Sequence, residues 1–218
     1  MSLKMSIIEK TTEFVKLTLA GAEGGHDWWH IYRVLENTRA IASKEKADLH
    51  ICELGALLHD IADPKFHHGD EKKGSLMARE FLAMQSIPGH HITAVIEIIE
   101  NISFSKEMEI KNSKSIELQV VQDADRLDAM GAIGIARAFN YGGFKNRTLY
   151  DPLIPPKKYS NSTEYRNSNS PTLNHFHEKL LLLKDLMNTQ TGREMAEKRH
   201  EYMLGFLEQF HKEWSGTA

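Results

Sequence analysis

Apolar residues recur along this chain at intervals of three and four, the spacing that gathers them on one face of an α-helix, and no stretch alternates as a strand does. The first run, residues 6–20, carries Ile7, Ile8, Phe14, Val15 and Leu17 and stops at Gly21. A turn at Gly24-Gly25 leads into a helix over 27–43, with Asp27 as a candidate N-cap. Asp48 opens a third helix with Ile51, Leu54, Leu57, Leu58 and Ile61 on its apolar side, and Pro64 ends it or begins the next loop. Residues 71–85 predict a fourth helix with Met77, Phe81 and Leu82 inward. Pro88-Gly89 breaks it, and 90–101 predicts a fifth. Ser103 to Asn112 reads as an irregular crossing. Ile116, Val120, Val121, Ala124, Leu127 and Met130 mark a sixth helix. Gly131 and Gly134 then permit a kink or close approach before Ile135, Ala138 and Phe139 continue helically. From Tyr141 to Ser170 the texture turns to Gly, Asn, Ser, Pro and Tyr, a loop of about 30 residues and long enough for a lid. Two closing helices, 172–189 and 192–213, complete an all-α fold. At 218 residues, a single domain spanning 1–218 is expected.

Composition narrows the function classes. The chain is 41% hydrophobic with a formal net charge of -3 and both signs interspersed, as in ordinary soluble proteins. A nucleic-acid binder carries a basic stripe; outside the Lys157-Lys158 pair there is none, so nucleic acid is not an expected partner. No apolar run has the length a membrane span requires, and no signal segment ending in a small-residue cleavage site is read at the N-terminus. Cys52 is the one cysteine, so no intramolecular disulfide forms, and its apolar neighbours suit packing better than thiol chemistry. A cytoplasmic protein is expected. Apolar helix faces can fill a core or a dimer interface, which leaves a homodimer open.

The candidate chemistry lies in His30, the adjacent pair His59-Asp60, and Asp125, each in a segment that reads as helix. A bundle can bring them around one divalent ion, since imidazole and carboxylate suit Mn, Fe, Zn and related metals. The surroundings of the pair, Leu57-Leu58-His59-Asp60-Ile61, are apolar. A carboxylate buried there needs a partner, which a metal or an arginine from another helix supplies.

His30-Ile31-Tyr32-Arg33-Val34, then Leu57-Leu58-His59-Asp60-Ile61, then Asp123-Ala124-Asp125-Arg126-Leu127 resembles the HD-domain superfamily of metal-dependent phosphohydrolases. The extended runs at 26–30 and 122–131 are similar to the small bacterial YpgQ/YedJ-like subgroup. The resemblance implies a compact HD-domain helical bundle with additional C-terminal helices and a metal core over 20–135. It implies His30, His59, Asp60 and Asp125 as the ligands of one divalent ion, manganese favoured, with Mg, Co, Ni, Fe or Zn as substitutes. It further implies a phosphohydrolase acting on nucleoside or deoxynucleoside triphosphates, with pyrophosphate release. A non-catalytic metal-dependent nucleotide sensor and a hydrolase of another phosphoester stay open.

Around that core, several residues carry two readings each. His26 stands at a helix entrance, where backbone N–H groups favour anions; it donates to phosphate, protonates a leaving oxygen, or merely caps the turn. Asp27 caps the helix or fixes an imidazole tautomer. Arg33, one turn beyond His30, is a phosphate clamp or an internal ion-pair donor. Lys65 stands where many HD enzymes carry Gly-Lys. Here Ala62-Asp63-Pro64-Lys65 departs from that form, yet the lysine can still meet phosphate as a flexible point charge. Asp60 or Asp125 holds the ion and directs the attacking water, with neither assigned as the general base. Trp28 and Trp29 stack a base or pack. Asp123 reads as a cap, an ion-pair partner or a solvated carboxylate. Asp128 orients a ligand histidine or bonds Arg126, and Arg126 itself pairs with carboxylates or approaches phosphate. His67, His68 and His90-His91 raise the question of a second ion, although one is expected. His175, His177, His200 and His211 suit surface or packing. The 141–170 loop offers Lys145, Arg147, Lys157 and Lys158 to a polyphosphate, or is simply solvated.

Overall fold

Side-chain caps set the helix starts. The computed structural model describes residues 5–21, 27–62, 72–103, 114–159, 164 and 168–217. Ser6 and Glu9 form a reciprocal capping box at the start of α1 (Ile7–Thr18). Asp27 caps α2 (Trp28–Glu45) and Asp48 caps α3 (Leu49–Leu58), each accepting backbone N–H groups that a first turn leaves open. There follow α4 (Lys73–Met84), α5 (Gly89–Asn101), α6 (Ile116–Asp128), α7 (Gly131–Phe144) and a short α8 (Asn174–Glu178). A 3-10 segment, Leu180–Leu186, and the long α9 (Gln190–Trp214) end the series. Among the described residues there is no strand, so the fold is an all-α bundle with additional C-terminal helices. No helix among them is long and apolar enough to cross a membrane.

Three boundaries differ from the periodic reading. The third helix stops at Leu58 and does not run on to Pro64, which lies outside the described residues. The His59 ring bonds the Ala56 carbonyl at 2.8 Å, occupying the acceptor that the N–H of residue 60 would use in a continuing helix. Helix α7 reaches Phe144, into the expected loop. The single helix expected over 172–189 is α8 followed by tighter 3-10 turns, broken at Lys179, whose φ is -146°. In a 3-10 helix residues three apart eclipse, and Leu180 and Leu183, both 3% exposed, share the buried side. Seven residues rich in leucine do not distinguish a period of 3.0 from one of 3.6.

The backbone divides into two units, residues 1–125 and 126–218. In the first, α3 packs against α1, α2 and α5, and α4 packs against α5. Val15, Ile31, Val34, Leu54, Leu57, Leu58, Leu82 and Ile98 are fully buried, and Phe14 stacks on Phe81 with centroids 4.2 Å apart. Leu17, expected inward, is exposed. The Gln122 amide donates to the Ile102 carbonyl at 3.2 Å, tying α6 to the end of α5.

In the second unit, Phe176, Leu173, Met203 and Leu207 form the core beneath α9. The described part of the long connection is laced down. The Tyr159 hydroxyl meets Ser168 at 2.6 Å, Ser170 at 2.9 Å and Glu178 at 3.1 Å, and Thr172 N–H donates to the Thr148 carbonyl. Residues 160–163 and 165–167 lie outside the described residues.

The turn between α6 and α7 requires its glycines. Gly131 has a φ of 67°, and a Cβ at Gly134 would stand 2.3 Å from the Ala129 carbonyl oxygen. Because that neighbour is backbone, Gly134→Ala should destabilise the chain by about 2–3 kcal/mol, read as a lower denaturant midpoint.

Acid should destabilise it as well. Burial pushes the His175 imidazole from 6.5 down to about 3, with the charges of Lys179 and Arg147 adding to the effect. The unfolded chain therefore takes up a proton that the folded chain refuses. Stability from this group is complete above pH 6.5 and declines as the pH falls toward about 3. Unfolding free energies from denaturant curves at pH 7, 5 and 4 should fall, by up to about 3 kcal/mol at pH 4, and His175→Gln should flatten the fall.

Candidate metal centre

The first ligand candidate owes its place to a helix cap. The Asp27 carboxylate accepts the His30 backbone N–H at 3.0 Å, which fixes the opening turn of α2 and sets His30 facing inward, with its side chain 3% exposed. Asp27 thus acts on the backbone of His30. The second candidate is oriented by its own helix. The Ala56 carbonyl can only accept, so its bond to His59 Nδ1 places the hydrogen there and leaves the Nε2 lone pair available. Asp60 follows in the turn beyond α3, where the 59–60 pair was expected to lie on the helix itself. Asp125 comes from α6, and the Asn37 amide of α2 donates to the preceding carbonyl, of Ala124, at 3.3 Å. That contact sets the α2 and α6 contributions at a fixed separation.

The four side chains converge. His30 Nε2 lies 3.5 Å from Asp125 Oδ1 and 4.0 Å from Asp60 Oδ2, and His59 Nε2 lies 3.8 Å from Asp125 Oδ1. The two rings meet edge to face with centroids 5.3 Å apart. One donor atom from each of His30, His59 and Asp60 lies within 4.8 Å of the others. The nitrogen–oxygen separations are at or beyond the hydrogen-bond limit. They suit donors arranged about a shared centre, since atoms about 2.1 Å from one ion stand roughly 3–4 Å apart. Two imidazoles and two carboxylates, with the histidines buried and Asp125 37% exposed, fit a divalent ion reached from one open side.

The remaining sequence candidates divide. Arg33 is half-buried on α2. His26, Lys65, His67 and His68 lie outside the described residues. Trp29 is 61% exposed, while Trp28 is half-buried and takes the Lys16 ammonium over its ring at 5.0 Å. Asp123 is fully buried, which overturns the solvated reading. Asp128 pairs with Arg137, nine positions on in α7. Arg126 is buried and donates to the Leu186 carbonyl, a structural role. Asn37 and the Ala56 carbonyl, which position the centre, carried no signal in the sequence: an amide and a backbone oxygen become informative only once their partners are placed.

Residues 28–130 match the HD domain family. YpgQ of Bacillus subtilis (strain 168) is 39% identical over 209 residues, covering 95% of this chain and 94% of YpgQ. Among solved structures, an HD-superfamily hydrolase from Bacillus thuringiensis is 45% identical with a TM-score of 0.77, over 95% of this chain and 96% of that one. The structure of Bacillus subtilis YpgQ in complex with ADP has a TM-score of 0.73 at 35% identity, over 97% of this chain and 100% of that one.

Proposed function

The chain belongs to the HD-domain superfamily of phosphohydrolases, closely related to the bacterial YpgQ-like proteins, and from that premise we propose that it hydrolyses nucleoside or deoxynucleoside triphosphates with release of pyrophosphate. Metal-dependent hydrolysis is the activity of its class. The observation that carries the reading is the convergence of His30, His59 and Asp60 with Asp125, four donors whose nitrogen–oxygen separations run from 3.5 to 4.0 Å. The complex of YpgQ with ADP supports a nucleotide as the substrate. In this reading His30, His59, Asp60 and Asp125 hold one divalent ion, manganese favoured.

A bound divalent ion lowers the pKa of water and polarises a phosphoryl oxygen. The chain supplies the rest. Asp60, beside the ligand histidines, accepts a hydrogen bond from the attacking water and so aims it. His26, Arg33 and Lys65 meet the phosphate oxygens, where preorganised charge counts most as negative charge builds in the transition state. His26 is also the group that delivers a proton to the departing pyrophosphate oxygen.

The test is simultaneous measurement of phosphate and pyrophosphate release from a panel of nucleoside and deoxynucleoside triphosphates with Mn, Mg, Co, Ni or Zn. Pyrophosphate together with the nucleoside monophosphate is expected. Phosphate alone would move the cleavage to the terminal phosphorus. Saturable nucleotide binding without turnover under any metal would replace the hydrolase by a sensor.

A further inference from the structure

We infer a second metal site, for zinc or a similar imidazole-preferring ion, between the first turns of α3 and α5 and built from His50, His90 and His91. His50 is the second residue of α3, and His90 and His91 follow Gly89, the first residue of α5. Ring centroids are 5.8 Å apart for His50 and His91 and 4.4 Å apart for His90 and His91. These values bracket the 5.3 Å between His30 and His59 at the first centre. Two imidazoles on one ion, each about 2.0–2.1 Å away, have centroids roughly 4.5–6 Å apart depending on the bond angle.

A second observation points the same way. Among the described residues, Nδ1 of His91 is buried and has no hydrogen-bond partner. Burying a polar atom unpaired is costly, and coordination at the cluster relieves it. Carboxylates offset the positive N-terminal ends of the two helices that meet here. Asp48 caps the same helix start, accepting the His50 backbone N–H at 2.9 Å, and the Glu117 carboxylate accepts the Asp48 N–H at 3.1 Å, so two acidic side chains stand at the start of α3. The set is looser than His30, His59 and Asp60, whose donors lie within 4.8 Å of one another; exposed His90 closes it by rotating its side chain.

The site is independent of the first. Residues 50 and 59 are separated by most of α3, about 13 Å along its axis, whereas the ions of a binuclear centre stand about 3.5–4 Å apart. An ion here clips α3 to α5, helices whose middles already meet where Gly55 lies against Ile98. Imidazole-only ligation selects Zn, Cu or Ni over Mg and Mn, which prefer oxygen.

The experiment is equilibrium dialysis of the tag-free full chain against Zn²⁺, with melting curves, for the original protein, Asp125→Ala, His91→Ala and His50→Gln/His90→Gln. Two zinc equivalents are expected in the original chain. Either histidine variant should lose one, together with the zinc-dependent rise in Tm that Asp125→Ala retains. Because His91 is partly buried, the His50→Gln/His90→Gln variant decides if His91→Ala misfolds. One equivalent that is lost in that variant but kept in Asp125→Ala would support this site and show that the first centre does not take zinc. Equal zinc content in the original chain and a folded His50→Gln/His90→Gln protein would overturn the second site.

Discussion

Asp125→Ala should lower metal-dependent turnover on the order of 10³-fold, equivalent to about 4 kcal/mol of barrier, and should leave the chain folded. Asp125 Oδ1 approaches both candidate ligand histidines, His30 and His59, at 3.5 and 3.8 Å, so its removal opens the donor set on one whole side. The residue is 37% exposed and its helix is tied to α2 through the Ala124 carbonyl, which the substitution keeps. Without an ion, Asp60 and Asp125 contribute two carboxylates to one cluster, and like charges at short range repel. The metal-free variant should therefore melt at the same temperature as the original chain or higher, while the rise in Tm on adding manganese disappears. A variant that kept both turnover and the manganese-induced Tm rise would sink the assignment of Asp125. Loss of turnover with an unchanged Tm rise would instead make it a group that acts on substrate.

The largest effect on stability is expected from Arg137→Met. It leaves the Asp128 carboxylate, whose side chain is 2% exposed, without its guanidinium partner. Breaking a buried ion pair from one side costs about 3–5 kcal/mol. The Arg199 guanidinium, close enough to feel the Asp128 charge, offsets part of that loss, so about 3 kcal/mol is expected. Adding Asp128→Asn should recover more than half of it, because the isosteric amide removes the buried charge that Arg137 balanced. Denaturant midpoints of the two single variants and the double variant form the cycle. Strict additivity would mean that the two side chains do not act as a pair.

Both predictions bear on how far the sequence can be read. The helix order was legible because caps and breakers are local: Asp27, Asp48 and Pro88-Gly89 stand at or beside the helix boundaries they predict. The four converging residues were legible through the resemblance, since spacing alone left open whether a metal or an arginine partners the His59-Asp60 pair. The end of α3 was not, because a side chain bonding its own backbone three residues back is chosen by the ring's surroundings. The fates of Asp123 and Asp128 were equally hidden. Burial of Asp123 and the choice of Arg137, nine positions from Asp128, arise from packing that periodicity does not encode. His90-His91 stood out in the sequence, but their meeting with His50 did not: it lies some 40 residues away and comes together with them through the packing of α3 on α5.

The bond from His59 to the Ala56 carbonyl has a thermodynamic consequence. A ligand aimed by a neighbouring carboxylate keeps its direction when its own helix loosens. A ligand aimed by its own last turn does not. With His59 as a ligand, ion affinity and the fraying of α3 would be linked functions of one equilibrium: an ion would bind the wound turn and not the frayed one, so each would favour the other by the same free energy. Substitutions that firm the end of α3 without touching any ligand should tighten ion binding. Amide hydrogen exchange in that turn should slow on metal addition, while an exposed turn elsewhere in the chain keeps its rate.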